Sequence, residues 1–293
     1  MNRASSYFYY IRIICFSVFL FAITGCKKEN SVQTSTPEDL ATSDAASSIS
    51  GAVSVNNGGL LDQMRDFLNT PTSVGLLFKT SVLFPTDTLA SIKSTYDPTT
   101  GWWTDSVSRS KSGMLWSSRY SRVYKHQFVN KNGVFQQKYI TGSDTAYTIH
   151  HEIVSGSGSM NNPWMSHTLK SLSAKWTGTG TNTDFITINS TEPYTRMATD
   201  TITNKNSMRT LDATLTVNFV NVVGPKGSGL NWYKKVSGNI TGHYHALVTF
   251  QKGETYGEKT IDRDFSLTMG DTLKLHVGGK TFYPDIETGY CGN

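Results

Sequence analysis

Leu211-Asp212-Ala213-Thr214-Leu215-Thr216-Val217-Asn218-Phe219 alternates apolar and polar side chains without a break. Successive side chains of a strand point to opposite faces, so this stretch predicts a strand with one buried and one solvated face. Further along, Ile240, Tyr244, Ala246, Val248 and Phe250 alternate in the same way with Asn239, Thr241, His243, His245 and Thr249. Similar runs lie near 115–129, 134–140, 146–154, 168–177, 184–189, 261–269 and 272–277, separated by turn sequences such as Lys131-Asn132-Gly133, Gly178-Thr179-Gly180 and Gly224-Pro225-Lys226-Gly227. Val277-Gly278-Gly279-Lys280 reads as a tight hairpin. With so few helices to act as crossovers, the strands must pair antiparallel.

The expected fold is therefore all-β with minor helix: a large curved antiparallel sheet with one short N-terminal helix packed on it. Half-barrel, barrel and sandwich all satisfy the periodicity. The packed helix is predicted over 60–69, where Leu60, Leu61, Met64, Phe67 and Leu68 recur at helical spacing and Pro71 ends the run. A second short helix is expected over Asp87–Ser94, with Thr86 or Asp87 as its cap. The stretch 26–58 holds mostly Ser, Thr, Ala, Asn and Gly and reads as a flexible tether, which leaves 59–293 as a single β-rich domain.

The first 25 residues carry Arg3 and Arg12, then the apolar run Ile13–Ala22, then Ile23-Thr24-Gly25-Cys26. The run is too short to span a bilayer. It has the layout of a secretion signal, and Ile-Thr-Gly-Cys resembles the bacterial lipoprotein signal. That resemblance implies cleavage before Cys26, lipidation of its thiol, and a membrane-tethered mature chain. Lys27 follows, with no Asp to suggest inner-membrane retention, so an outer-membrane lipoprotein is expected. Surface-export signals of Bacteroidota resemble a lysine followed by acidic residues. Glu29 matches that only in part, so the leaflet stays open.

Ser and Thr total 71 of 293 residues, and aromatic residues make up 12%, a balance suited to sheets with one polar face. The precursor's net charge of +5 falls to +3 once two arginines leave with the signal, too little to argue for nucleic acid. Cys15 would be removed and Cys26 lipidated, so Cys291 has no partner for an intramolecular disulfide.

No Gly-x-Ser-x-Gly elbow, Walker loop, His-Glu-x-x-His helix or Cys-x-x-Cys pair occurs, and no cofactor is expected. His243 and His245 share one strand face, the spacing by which two imidazoles chelate a metal, as do His150 and Glu152; both pairs lie on the solvated side of their strands. Asp262 and Asp264 form a like pair. Trp102 and Trp103 are candidate sugar-stacking residues, since at least one of two neighbours on a strand faces outward. Five triplets at Asp87, Asp105, Asp144, Asp200 and Asp271 place Thr88, Ser106, Thr145, Thr201 and Thr272 after an aspartate and before a small or aliphatic residue. They resemble the O-glycosylation sequon of Bacteroidota. A turn aspartate opening a strand would give the same triplets, in accessible loops under either reading.

Together these features look like an envelope lipoprotein of Bacteroidota type. The first functional expectation is a non-enzymatic binding or structural module, with carbohydrate as its sharpest form. The second is a carrier of a lipophilic ligand in a curved-sheet cavity, which resembles the lipoprotein-carrier family in presumed architecture alone. The third is a metal-dependent enzyme built on His243 and His245. The membrane is the expected partner through Cys26, with a glycan or lipophilic small molecule beside it. The oligomeric state stays open.

Overall fold

The computed structural model describes residues 37–72, 87–203, 207–227, 229, 231–252 and 258–291. Two helices, α1 (Pro37–Val53) and α2 (Leu60–Asn69), precede the strands. These are β1 (Asp87–Asp97), β2 (Trp102–Ser112), β3 (Ser117–Val129), the two-residue strands β4 (Phe135–Gln136), β5 (Ile140–Thr141) and β6 (Asp144–Thr145), then β7 (Thr148–Asn161) and β8 (Met165–Thr179). The chain continues through β9 (Phe185–Thr203), β10 (Met208–Pro225), β11 (Ser237–Lys252), β12 (Glu258–Thr268), β13 (Lys274–Val277) and β14 (Lys280–Phe282). The main sheet is an antiparallel meander in the order β1-β2-β3-β7-β8-β9-β10-β11-β12-β13-β14, with β4 paired to β3. Among the described residues its two ends do not pair, so the sheet is open.

The predicted alternation holds along β10 and β11. Leu211 lies opposite Val248, Ala213 opposite Ala246 and Leu215 opposite Tyr244, all buried on the concave side. Between Val217 and Val222 the register slips, and Asn221 takes a left-handed φ of 50°. Asn189 Oδ1 accepts the Asn221 N–H at 2.8 Å, and Ser190 Oγ accepts the Phe219 N–H at 3.0 Å. A bulge of this kind bends its strand. The β13–β14 hairpin turns on Gly278 and Gly279, with φ of 56° and 73°, the two positive angles a two-residue turn of this hand requires.

The helices fill the concavity. On α2 the apolar stripe Leu60, Leu61, Met64, Phe67 and Leu68 is fully buried, as its spacing predicts, but so is its polar side, Asp62, Gln63, Arg65 and Asp66. From Ala41 onward α1 is buried except at Ser43 and Ser47. Its small residues Ala41, Ala45, Ala46 and Ala52 let it sit where bulkier side chains would not fit. A hydrogen on Gly178 of β8 stands where a Cβ would come within 2.6 Å of Phe67, and at Gly224 of β10 a Cβ would meet Leu68 at 2.8 Å. Strands two apart in the sheet are thus drawn onto one turn of α2.

Two expectations are corrected. The tether reading of 26–58 fails over 37–58, where α1 is buried over most of its length although its small residues give little contrast between faces. Compact structure begins at Ala41; residues 26–36 lie outside the described residues. The helix expected over Asp87–Ser94 is instead β1. Leu89 and Ile92 are three apart, as on a helix, because a bulge between Leu89 and Ser91 adds one residue to the strand; in register they face Arg109 and Val107 of β2.

Candidate functional site

Helix α2 is held in the sheet by buried ions. Arg122 Nη1 lies 2.8 Å from Asp62, Arg109 Nη2 2.7 Å from Asp66, and Lys111 Nζ 3.6 Å from Asp62; Arg65 pairs with Asp62 within the helix. The Tyr124 hydroxyl donates to Asp66 at 3.1 Å. Burial alone would raise both carboxyls. At Asp62 the charges of Lys111, Arg65, Arg109 and Arg122 overcome it and hold the group well below the usual carboxylate range. At Asp66 burial wins, aided by the charge of Asp62, and its carboxyl is raised. Each of these side chains is at most 8% exposed, so substrate cannot reach them. Their geometry fixes the rotation of α2 within the sheet.

A second buried chain contains serine, aspartate and histidine but not in a nucleophile's order. The Ser48 hydroxyl donates to Asp200, whose other oxygen meets His167 Nδ1. His167 Nε2 faces Arg196, which reaches on to the Gly58 carbonyl at 3.4 Å. Burial lowers the His167 pKa against the pull of Asp200. The imidazole has no serine to activate, so this chain ties α1 and the α1–α2 loop to β8 and β9.

Accessible chemistry gathers instead at the rim. A depression of about 240 Å³ is lined by Asp44, Asn57, Asn162, Trp164, Arg209 and Tyr290, among others. Trp164 and Tyr290 meet edge to face, with centroids 5.2 Å apart and planes at 66°, and are 39% and 51% exposed. Trp164 is set by an Asn162-capped turn: Asn162 Oδ1 accepts the backbone N–H of Trp164 at 3.1 Å and of Met165 at 2.7 Å. Its carbonyl accepts the Thr203 N–H at 2.9 Å. Tyr290 is set by the C-terminal segment, where the Asp285 N–H donates to the Tyr290 carbonyl at 2.9 Å and Asp285 Oδ1 caps Thr288 at 2.7 Å. That segment is strapped to the α1–α2 loop. Val55 N–H donates to Ile286 O at 3.0 Å, Asn56 N–H to Glu287 O at 2.8 Å, and Asn57 Nδ2 to Thr288 O at 3.0 Å.

In the lining of the same depression, Arg209 grips Asp44 through two 2.8 Å bonds. Burial raises the Asp44 carboxyl despite that partner. The exposed aromatic faces, with the amide and hydroxyl groups of Asn162, Thr203 and Thr288 in the same lining, can hold a flat-sided polar ligand, with apolar contact on one side and hydrogen bonds on the other.

Among the described residues singled out from sequence, Cys291 lines this depression and the others lie elsewhere. Trp103 faces inward: its indole N–H donates to Gln137 O at 2.8 Å and its ring stacks on buried His126 at 6.1 Å. Trp102, next to it on the strand, takes the opposite face and is half-buried. His243 and His245 sit on the outer face, 46% and 52% exposed, as expected. His243 Nδ1 is 2.9 Å from Asp264, its Nε2 is 3.2 Å from Asp262, and His245 Nδ1 is 3.0 Å from Asp262. The Asp264 bond leads in raising the His243 pKa. Among the described residues no group of three or more His, Cys, Asp or Glu is arranged to hold a metal ion. His150 and Glu152 are half-buried on β7.

Of the five triplets, Ser106 and Thr201 lie within β2 and β9 rather than in loops. Their aspartates point inward: Asp105 lies 3.0 Å from His126, and Asp200 pairs with His167. Thr145 sits in β6 and Thr272 in an exposed bend. Thr88 belongs to β1, and Cys26 lies outside the described residues. Cys291 is half-buried, its thiol 2.8 Å from the Ser50 hydroxyl. Of the rim residues, Trp164 is visible in sequence only as one of six tryptophans. Asp44, Arg209 and Tyr290 carry no motif, because they are joined by the fold and not by spacing. Comparison with protein-family models, with curated proteins and with solved structures finds no match to this chain.

Proposed function

We propose that this chain is a non-enzymatic, lipid-anchored envelope module that binds carbohydrate at the rim depression. The observation that carries the reading is the exposed, edge-to-face Trp164–Tyr290 pair lining one depression with Asn162, Thr203 and Thr288. Aromatic surface beside amide and hydroxyl groups matches a saccharide ring, which has apolar C–H faces and a hydroxyl periphery. Anchoring through Cys26 at the outer membrane would present that rim to envelope or environmental glycans.

Two observations weigh against the other expectations. The concave side of the sheet, where a lipophilic cargo would lie, is taken up by α1 and α2, whose apolar side chains join the sheet in one core. A metal-dependent reaction on the outer face would have to break the contacts His243 and His245 make with Asp262 and Asp264.

The test is glycan-array retention of the full chain carrying Cys26→Ser, made without its lipid. Trp164→Ala should abolish retention, while Trp102→Ala should leave it intact. Retention that survives Trp164→Ala and is lost with Trp102→Ala would move the site to β2. No retention of any glycan by the unmutated domain would end the carbohydrate reading.

A further inference from the structure

Tyr290 lines two depressions. Beyond the one it shares with Trp164 lies a second, of about 390 Å³, walled by Tyr233, Asp271, Thr272, Tyr283, Asp285 and Tyr290. Tyr283 is 63% exposed and Tyr290 51%, so both aromatic faces are open to a ligand. Trp164, Tyr290, Tyr283 and Tyr233 therefore mark out a path along the C-terminal segment, and Tyr290 is common to both halves. From the proposed carbohydrate function we infer that the two depressions are subsites of one groove, which takes a neutral glycan chain of at least two rings running across Tyr290.

Three features support a chain over two unrelated small ligands. The shared wall is a single residue, so rings bound on its two sides are close enough to be linked. That residue is held rigidly, since the Asp285–Tyr290 turn closes on itself and is strapped to the α1–α2 loop at Val55, Asn56 and Asn57; a rigid partition keeps the two subsites at a fixed separation and limits the entropy lost on binding. Each half also repeats the same chemistry, aromatic surface beside polar groups. Linked rings gain because the second binds at the high effective concentration set by the first.

The charges set the class of sugar. In the first subsite Arg209 neutralises Asp44. In the second, the acids Asp271 and Asp285 line the wall, and Lys234 stands 3.5 Å from Asp271, whose side chain is 91% exposed. Negative charge in that subsite repels uronic acid and sulfated chains. An apolar lipid tail would set the carboxylates of Asp271 and Asp285 against hydrocarbon instead of water.

The experiment titrates the full Cys26→Ser chain with glucan, mannan, xylan and chitin oligomers from single rings to hexamers, and with oligogalacturonides, by calorimetry. Affinity for the preferred neutral series should rise about a hundredfold from single ring to chain. Tyr283→Ala should remove that gain, and Trp164→Ala should remove single-ring binding as well. Equal affinity for single ring and hexamer, a length gain that survives Tyr283→Ala, or preference for oligogalacturonides would overturn the groove while leaving the rim site standing. No binding of any sugar would remove the rim site and the groove together.

Discussion

Arg209 at the start of β10 holds Asp44 of α1 through two parallel bonds of 2.8 Å, Nε to Oδ2 and Nη2 to Oδ1, with both side chains 5% exposed. A planar guanidinium engaging both carboxylate oxygens fixes orientation as well as distance. The contact ties α1 to β10, as the Ser48–Asp200 contact ties it to β9, and both of its residues line the rim depression.

Removing one partner of such a pair leaves a buried charge uncompensated. Arg209→Met is expected to lower stability by about 3–5 kcal/mol in urea denaturation. Adding Asp44→Leu should restore most of that loss, because an apolar pair of similar volume avoids the desolvation of both ions. A double variant as unstable as the single one would mean that the guanidinium contributes through contacts other than Asp44.

Gly178 lies beneath Phe67, with space for a hydrogen alone. Gly178→Ala should destabilise the protein by about 1–3 kcal/mol through overpacking. Phe67→Leu in the same chain should relieve part of that cost, and thermal melts of the two single variants and the double variant measure it. Strict additivity would show that Phe67 is not the residue obstructing the methyl group.

His151 is fully buried among Phe67, Tyr124 and Trp176, with ring centroids at 5.2, 5.4 and 5.7 Å. Among the described residues neither nitrogen has a hydrogen-bond partner. Burial, with the nearby charge of His126, pushes its pKa down to about 3 from 6.5. The folded pKa lies below the unfolded one, so the unfolded state takes up the proton first. Stability is fully present above pH 6.5 and declines as pH falls toward about 3, by about 1.4 kcal/mol per unit from this group. His167, also lowered by burial, adds to the same slope. Urea midpoints measured across this window should fall less steeply for His151→Phe than for the unmutated chain; equal slopes would mean that His151 is charged in the folded protein.

The Cys291 thiol meets the Ser50 hydroxyl of α1, and burial pushes its pKa up. A thiol with a raised pKa offers little thiolate at neutral pH. Iodoacetamide should therefore label Cys291 slowly in the folded protein and much faster in urea. Rapid labelling of the folded chain would show that the C-terminal strap opens readily.

Strand alternation over 211–219 and 239–250 determined an antiparallel sheet and which side of each strand is buried, because the two-residue period is local backbone geometry. The stripe from Leu60 to Leu68 likewise gave α2 and its apolar face. Helix α1 was invisible to the same test. Its buried positions are mostly small residues and its half-buried ones, Ser43 and Ser47, are small as well, so the faces show little contrast and the segment reads as a tether. The bulge near Leu89 disguised β1 by changing its period.

The burial of Asp62, Asp66, Arg109, Lys111 and Arg122 was decided only by tertiary structure. In sequence, Arg109 and Lys111 stand on one strand face and Arg122 on the next strand, and a polar strand face is ordinarily the wet one. Here Arg109, Lys111 and Arg122 are turned inward beside Val107, Tyr124 and Phe128, because the acids of α2 supply the partners that make burying those cations tolerable. The rim depended on the fold in the same way: Asp44, Trp164, Arg209 and Tyr290 lie far apart in the chain, and closure of the C-terminal segment over the α1–α2 loop brings them together.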